Sequence, residues 1–453
     1  MCAQRLPPLN TEWCLANNVP MVVPSTKIHS LISREILDSR GDPTVETMVV
    51  LESGYRGVAS VPAGTSLGKY ESVELRDRDE KRYGGMGVLK AVANVEGPIA
   101  SKIRGLDATN QAAIDKAMID LDGSADKHNL GSNSILSVSL AVAVAAANAA
   151  RMPLYRYINQ LFRPFVETEI KRIPTPTFNI INGGKHGAGN LDFQEFHIVP
   201  ASNKVFSEAL HIGVSVYKSV MQILKYRNAV YSVGYEGGFA PNLFTNLDAL
   251  EILREAIKAS PYAFGVDVFF GLDLAASTFH QERGGYKIKD KPAALSSTDF
   301  TKYLVELHKQ YRLLILEDPL DEDDWEHWVE LSKEIGKDVL VVGDDLLATN
   351  PERLQRAIKE GACSAILAKP NQIGSLSEFF GVIAIAKHAD IKTIVSHRSG
   401  ETNDSFVADL AVGVQSDYVK FGAPARGERV AKYNRLLQIE EELAASRVVR
   451  ASS

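Results

Sequence analysis

The amino-acid sequence predicts an α/β protein in which a small N-terminal α+β domain precedes a TIM-like α/β barrel. Runs of β-forming residues between Lys27 and about Ser60 are followed by helical patterns that continue to about residue 160. From Ile173 onward, short apolar runs ending in a polar residue alternate with helical stretches, and the later strand ends are 23 to 28 residues apart. That spacing is typical of one strand plus one helix. Its persistence to the C-terminal region favours a closed barrel, with an open doubly wound sheet as the alternative.

Three segments follow from these patterns. Residues 1–26 form an extension that lacks the apolar core of about 7 to 15 residues typical of a secretory signal, and it is not Arg-rich like a transit peptide. Residues 27–160 form the α+β domain, and residues 168–445 form the barrel. Within the first domain, Ile135–Ala150 is apolar but shorter than a membrane span of about 20 residues. We therefore predict a buried helix there and no membrane segment.

Composition and charge narrow the class of protein. Apolar residues make up 45% of the 453 residues and charged residues 23%, which is ordinary for a folded globular protein. The net charge of −6 provides no general attraction to nucleic acid or anionic membranes, whereas a small anionic ligand remains possible. The three cysteines, Cys2, Cys14 and Cys363, indicate neither a disulfide framework nor a zinc site. A reducing compartment, and so the cytoplasm, is expected.

The strand ends carry the candidate site residues. In such barrels the carboxyl ends of the strands surround the active site, so side chains distant in sequence converge there. Asp273, Glu317 and Asp344 end three strands, and three carboxylates without nearby His or Cys favour Mg²⁺ first and Mn²⁺ second. For the neighbouring Asp318 and Asp345 we expect helix capping instead.

Cationic groups end the later strands. Lys369 closes an apolar run, so burial and neighbouring cations are expected to lower its pKa toward the range of a general base. Lys420 ends a later strand, and Arg398 with Ser399 follows another. Such a cluster is typical of a site for a phosphate or carboxylate. The ligand predicted from the residues is an anion with more than one charge.

Two glycine-rich loops add candidate groups. His186 lies in NGGKHGAGN, a sequence typical of a mobile lid, and Gln194 and Glu195 follow at the next strand. Glu236 lies between glycines in GYEGGFAPN. It is either part of a tight turn or an acid held close to a ligand.

Eight strings in order closely resemble the enolase family from about Lys27 to Ala444. They are DSRGDPTVE, INGGKHGAGN, GYEGGFAPN, LEDPLDEDDWE, GDDLLATNP, AKPNQIGSLSE, SHRSGETND and FGAPARGERVAKYN. The resemblance implies an atypical eightfold barrel, usually in a homodimer. It implies the reversible dehydration of 2-phosphoglycerate, a small phosphorylated carboxylic acid, to phosphoenolpyruvate with two Mg²⁺ ions.

The resemblance also implies a role for each candidate residue. Asp273, Glu317 and Asp344 would hold the first Mg²⁺, and Ser66 would join the second. Lys369 looks like the base for the C2 proton, and Glu236, supported by Glu195, like the acid for the C3 hydroxyl. The remaining substrate contacts would come from His186 as the lid histidine, Gln194 and His397 nearby, Arg398 and Ser399 at the phosphate, and Lys420 at the carboxylate.

Several positions depart from the family pattern. They are Ala63, Thr65 and Leu67 in the first glycine-rich loop, Ala188 in the lid, Tyr235 beside Glu236, Pro370 after Lys369 and Phe421 after Lys420. A phenol at Tyr235, where the family has an acid, is expected to shift the pKa of Glu236 or alter the charge of the pocket. We therefore expect an active, diverged enolase. The alternatives are an impaired enolase-like dimer with a structural or binding role and another acid-sugar dehydratase or racemase.

Overall fold

The computed structural model describes residues 25–64, 69–187, 189, 191–281 and 285–451. Nearly all of the predicted N-terminal extension lies outside these residues. So do Ser66, the predicted ligand of the second Mg²⁺, and the divergent residues Thr65, Leu67 and Ala188.

The N-terminal domain is an antiparallel sheet covered on one face by helices. Its strands are β1 (Ile28–Leu37), β2 (Pro43–Leu51) and β3 (Arg56–Ser60), paired in the order β1-β2-β3. Alternate residues point to the two faces of a strand, and in β1 Leu31 and Ser33 are buried while Ile32 is exposed. The helices are α1 (Leu89–Asn94), a π turn (Val95–Ile99), α2 (Ala100–Ile103), α3 (Gln111–Asp122), α4 (Ser132–Ala149) and α5 (Leu154–Phe162).

Helix α4 is the core of this domain. It is the one described helix that is long and apolar enough to span a membrane, but 89% of it is buried inside the protein. Its small side chains allow strand β3 to approach closely, because a Cβ at Gly57 would lie 2.2 Å from the carbonyl oxygen of Ala141. The predicted buried helix is therefore confirmed.

The second domain is a closed eight-stranded barrel in the order β10-β11-β4-β5-β6-β7-β8-β9. The strands are β4 (Thr175–Asn182), β5 (Glu195–Pro200), β6 (Val268–Asp273), β7 (Leu313–Glu317), β8 (Leu340–Gly343), β9 (Ala365–Ala368), β10 (Lys392–Ser396) and β11 (Tyr418–Lys420). A separate apolar cluster, made only of strand residues such as Val199, Ile315 and Ile394, fills its interior. The predicted fold class is confirmed, and the open sheet is excluded.

Strand β5 corrects the expected uniform alternation, because it runs antiparallel to both β4 and β6. The connection from β4 to β5 is 12 residues long and, in its described part, has a single 3₁₀ turn, Gly184–His186, so the chain returns directly along its neighbour. A parallel crossover requires a long connection, usually with a helix.

The helices of the barrel follow in chain order. They are α6 (Phe206–Tyr226), α7 (Asn246–Lys258), α8 (Ser297–Tyr311), α9 (Trp325–Ile335), α10 (Pro351–Glu360), α11 (Pro370–Ile373), α12 (Leu376–His388), α13 (Phe406–Gly413) and α14 (Gly427–Ala451). Both α6 and α7 lie between β5 and β6, so the second strand is followed by two long helices.

Candidate active site

The barrel brings the predicted strand-end residues together at one end, where all of them except Glu317 line one pocket. Strands β6, β7 and β11 end at Asp273, Glu317 and Lys420, while Asp344 and Lys369 directly follow β8 and β9. Reversed β5 begins at this same end of the barrel. It therefore places Glu195 opposite Asp273, and Asp273 opposite Glu317. The pocket is also lined by His186, Gln194, Glu236, His397, Arg398 and Ser399.

Lys420 lies at the centre of a buried carboxylate cluster. Its Nζ is 3.0 Å from Asp273 Oδ2, 2.8 Å from Glu317 Oε1 and 3.1 Å from Glu195 Oε2. Gln194 Nε2 donates to Asp273 Oδ2 at 3.2 Å. Burial lowers the pKa of Lys420, but the charges of Asp273 and Glu195 raise it more strongly, and the net shift is well upward. Lys420 is therefore a fixed positive charge.

Asp344 pairs with a different lysine. Lys369 Nζ lies 2.5 Å from Asp344 Oδ2, and Gln372 Nε2 donates to Asp344 Oδ1 at 3.3 Å. Burial and the charge of Arg398 lower the pKa of Lys369, but the charge of Asp344 raises it, and the net shift is upward. The expected lowering of this pKa is therefore wrong for the ligand-free site, because that expectation left out the carboxylate partner.

The donor set fits a divalent cation. Burial and the charge of Asp273 raise the pKa of Glu317 well above its ordinary range, although Lys420 lowers it. The two lysines thus leave negative charge uncompensated, and carboxylate oxygens are the preferred ligands of Mg²⁺. Of the three predicted ligands, Asp273 and Glu317 pair with Lys420, whereas Asp344 pairs with Lys369. Asp344 also lies close to Asp318 and Asp345, and one carboxylate oxygen of each of these three residues lies within 4.8 Å of the others.

Asp318 has a structural role other than the helix capping we expected. Its carboxylate accepts hydrogen bonds from the backbone N–H groups of Asp344, at 2.9 Å, and Asp345, at 2.7 Å. Asp318 thereby fixes the turn that directs Asp344 into the pocket. Asp345 lines the same pocket.

Glu236 belongs to a second cluster, rich in histidine. Glu236 Oε2 accepts from Asn179 Nδ2 at 3.1 Å and lies 3.2 Å from His397 Nε2. His186 Nδ1 lies 3.1 Å from Glu195 Oε1 and 3.6 Å from Glu236 Oε1. His186 therefore stands between the two carboxylates.

The cluster keeps Glu236 ionised. Burial and the charge of Glu195 raise the pKa of Glu236, but its interactions with His397 and His186 lower it more strongly, to about 2. Burial lowers the pKa of His186, and the two carboxylates reverse that effect, so its pKa is raised overall. In this state the proton of the cluster belongs to the histidine rather than to Glu236.

Arg398 lines one wall of the pocket. Its guanidinium donates to Glu71 Oε2 at 2.9 Å and to Asn371 Oδ1 at 3.2 Å. A Cβ at Gly64 would lie 1.9 Å from Arg398 Nη2, so a larger residue there would displace this guanidinium. Ser399 Oγ accepts from Arg40 Nη1 at 3.5 Å. The two predicted clamp residues are thus held from the N-terminal domain.

Sequence reasoning missed several residues of this site. Glu71 lines the pocket and pairs with Arg398, and Gln372 donates to Asp344. His197 Nε2 lies 2.6 Å from Glu195 Oε2. Glu71 falls within KYESVELR, where no local pattern distinguishes it from a surface acid. His197 alternates with Glu195 on β5, and that period of two was the available signal.

Three divergent residues that the structure describes, Tyr235, Phe421 and Pro370, affect the pocket less than expected. Tyr235 is 45% exposed, and its phenol is not among the groups that shift the pKa of Glu236. Phe421 is fully buried against Tyr433, with ring centroids 6.1 Å apart. Pro370 begins helix α11, a position where proline is favoured.

Family comparisons cover nearly all of the described chain. The family model described as "Enolase, N-terminal domain" matches residues 28–158. The one described as "Enolase, C-terminal TIM barrel domain" matches residues 170–452.

Proposed function

The chain belongs to the enolase family, and from that premise we propose that it catalyses the reversible, Mg²⁺-dependent dehydration of 2-phosphoglycerate to phosphoenolpyruvate. The observation that carries the proposal is the convergence on one pocket of a buried lysine, a separate buried acid, an arginine and the strand-end carboxylates Asp273 and Asp344, with Glu317 bound to Lys420 beside them. We also propose that the protein works as a cytoplasmic homodimer.

We assign protein ligands to two Mg²⁺ ions. Asp273, Glu317 and Asp344 would hold one ion, and we assign Ser66 to a second by resemblance. When bound, Mg²⁺ stabilises the negative charge that develops on the substrate carboxylate. Lys420, fixed as a cation by Asp273, Glu317 and Glu195, adds positive charge to the same region.

Lys369 is the proposed base for the C2 proton. A proton next to a carboxylate is weakly acidic, so its removal requires a well-placed base and nearby positive charge. Lys369 accepts a proton only after its ion pair with Asp344 has weakened, and the charges of Arg398 and Lys420 then favour the neutral amine. Arg398 and Ser399 would hold the phosphate and thereby orient C2.

Glu236 is the proposed acid for the C3 hydroxyl. Loss of hydroxide requires proton delivery, and Glu236 is ionised in the cluster that the structure describes. His186 lies beside both Glu236 and Glu195, but its Nδ1 is 3.6 Å from Glu236 Oε1, which is longer than a hydrogen bond. The imidazole must therefore move closer before its proton can pass to Glu236. The anionic substrate would raise the pKa of Glu236 by charge repulsion.

The decisive test follows phosphoenolpyruvate formation by its ultraviolet absorbance, with 2-phosphoglycerate and millimolar Mg²⁺. We expect a rate that disappears with EDTA and returns with excess Mg²⁺. Lys369→Ala should lower kcat by at least about 10²- to 10⁴-fold, the usual contribution of a general base. The matched control is Lys302→Ala, which removes a lysine that is 71% exposed and should change nothing.

Two results would contradict this proposal. Unchanged turnover in Lys369→Ala would exclude the lysine as the base. No turnover in the wild type, together with a Tm that still rises with Mg²⁺ and substrate, would support the impaired, binding-only alternative.

A further inference from the structure

The C-terminal helix α14 inserts an arginine beneath the pocket. Arg429 is fully buried and donates to the carbonyl oxygens of Arg398 and Ser399, each at 2.6 Å, and of Tyr235 at 3.1 Å. The same guanidinium reaches the imidazole of His397, with 2.6 Å between Arg429 Nη1 and His397 Nδ1.

This contact determines where the proton of His397 lies. A guanidinium has five N–H donors and no acceptor, and it stays charged inside proteins. His397 Nδ1 must therefore accept, which leaves it without a proton. A neutral imidazole then carries its hydrogen on Nε2.

The other ring nitrogen faces the proposed acid. His397 Nε2 lies 3.2 Å from Glu236 Oε2, so its hydrogen lies beside this carboxylate, although the two groups do not form a hydrogen bond in this arrangement. Burial lowers the pKa of His397, the charge of Glu236 raises it and the charge of Arg429 lowers it, with a net downward shift. Both the contacts and the charges favour a neutral ring.

The imidazole is closely packed. Gly422 has a φ of 82°, and a Cβ at this residue would lie 3.0 Å from both His397 Cε1 and Arg429 Cδ. The ring therefore lies between a glycine and an arginine, and its orientation is set by the contact between Nδ1 and Arg429.

We propose that Arg429 is a positioning residue that holds His397 in the Nε2-protonated form, with that hydrogen beside Glu236. His397 is then a proton-bearing neighbour of Glu236 and is not itself a proton acceptor. The assignment of the proton is independent of turnover, whereas its catalytic consequence rests on the proposed function.

The first experiment measures the proton position directly in the wild type. Uniform ¹⁵N labelling of the ten histidines and two-bond ¹H–¹⁵N correlation distinguish a protonated from an unprotonated ring nitrogen. The signal of His397 is assigned by its loss in His397→Gln. We expect an unprotonated Nδ1 and a protonated Nε2 at pH 7. A proton on Nδ1, or on both nitrogens, would overturn the proposal whether or not the protein is active.

Variants then separate positioning from simple support of the fold. Arg429→Met removes the donor and should produce a mixture of the two neutral forms of His397, whereas Arg429→Lys keeps a donor and should preserve the Nε2 form. The matched control is Lys432→Met, one turn further along α14. Lys432 is also fully buried, but it donates to the carbonyl oxygens of Thr402 and Asp404 and not to His397.

The activity readout follows the same logic. We expect Arg429→Met to lower kcat about 10- to 100-fold, the range found when a hydrogen bond that supports a functional group is removed, and Arg429→Lys to recover part of it. The His397 spectrum of Lys432→Met should equal that of the wild type. An unchanged spectrum in folded Arg429→Met would contradict the proposal, and if that variant does not fold, the wild-type spectrum still decides it.

Discussion

At the scale of single residues, position along a strand predicted the site better than residue chemistry did. Asp273, Glu317 and Lys420 were predictable because each ends an apolar strand, and barrel geometry gathers such ends. The residues that pair with the site residues were not predictable. Arg398 and Glu71 are 327 positions apart in the chain, and no local pattern predicts an ion pair over that separation. The direction of the Lys369 pKa shift was wrong for the same reason, since it depends on Asp344.

Tyr235 provides the residue-scale prediction. The sequence alone indicated that this phenol disturbs Glu236, but the ring is 45% exposed while its backbone atoms are held by His186 and Arg429. Tyr235→Asp keeps those backbone bonds, so we expect kcat/KM to stay within about two-fold of the wild type, as for most changes at exposed positions. Steady-state kinetics with 2-phosphoglycerate measures this. Tyr235→Phe is the control, and a rise of ten-fold or more in Tyr235→Asp alone would show that the phenol impairs the site.

At the scale of elements, hydrophobic periodicity predicted where strands and helices lie, but it did not predict the direction in which a strand runs. The apolar run of β5 predicts a strand, but its reversal depends on the short connection from β4 and on pairing with β6. That reversal brings Glu195 to the functional end of the barrel.

The contact between the two domains also depends on residues that are distant in the sequence. Asp115 of α3 accepts from the backbone N–H of Ser377 at 2.9 Å and from its hydroxyl at 2.6 Å, at the first turn of α12.

Asp115 provides the element-scale prediction. Asp115→Ala should destabilise the protein by about 1–3 kcal/mol, because it leaves the backbone N–H and the hydroxyl of half-buried Ser377 without their acceptor. Burial raises the pKa of Asp115, so the native state binds the proton more tightly than the unfolded chain does. The stability contributed by Asp115 therefore falls as pH rises from the ordinary value of 3.8 through the raised native value. Thermal unfolding should show a larger Tm loss for the variant at pH 4.5 than at pH 7.5. Lys116→Ala, at a position whose side chain is 74% exposed, is the control, and an equal or larger loss at pH 7.5 would contradict the assigned shift.

At the scale of the whole molecule, the outer face of the N-terminal sheet indicates where a second copy would bind. Ile32, Met48 and Val58 stand directly opposite one another across β1, β2 and β3, so their side chains share one face. Ile32 is 50% exposed and Val58 45%, while the opposite face packs on α4. The Arg34–Glu46 ion pair lies beside this apolar row. An apolar strip with a polar border is typical of a protein interface.

We therefore expect the wild type to sediment with twice the 49.5 kDa mass of one chain. Val58→Lys should shift it toward the single-chain mass, because a dimer would bury the added charge without a partner. The matched control is Val205→Lys, which places the same charge at a valine that is 61% exposed and remote from this sheet in sequence. Sedimentation equilibrium across protein concentrations measures both variants.

If the wild type is a dimer and Val58→Lys dimerises equally well, the interface lies elsewhere. A monomeric wild type would contradict the expected homodimer itself. Since the pocket is assembled from residues of a single chain, the Mg²⁺-dependent rate should persist in the Val58→Lys monomer.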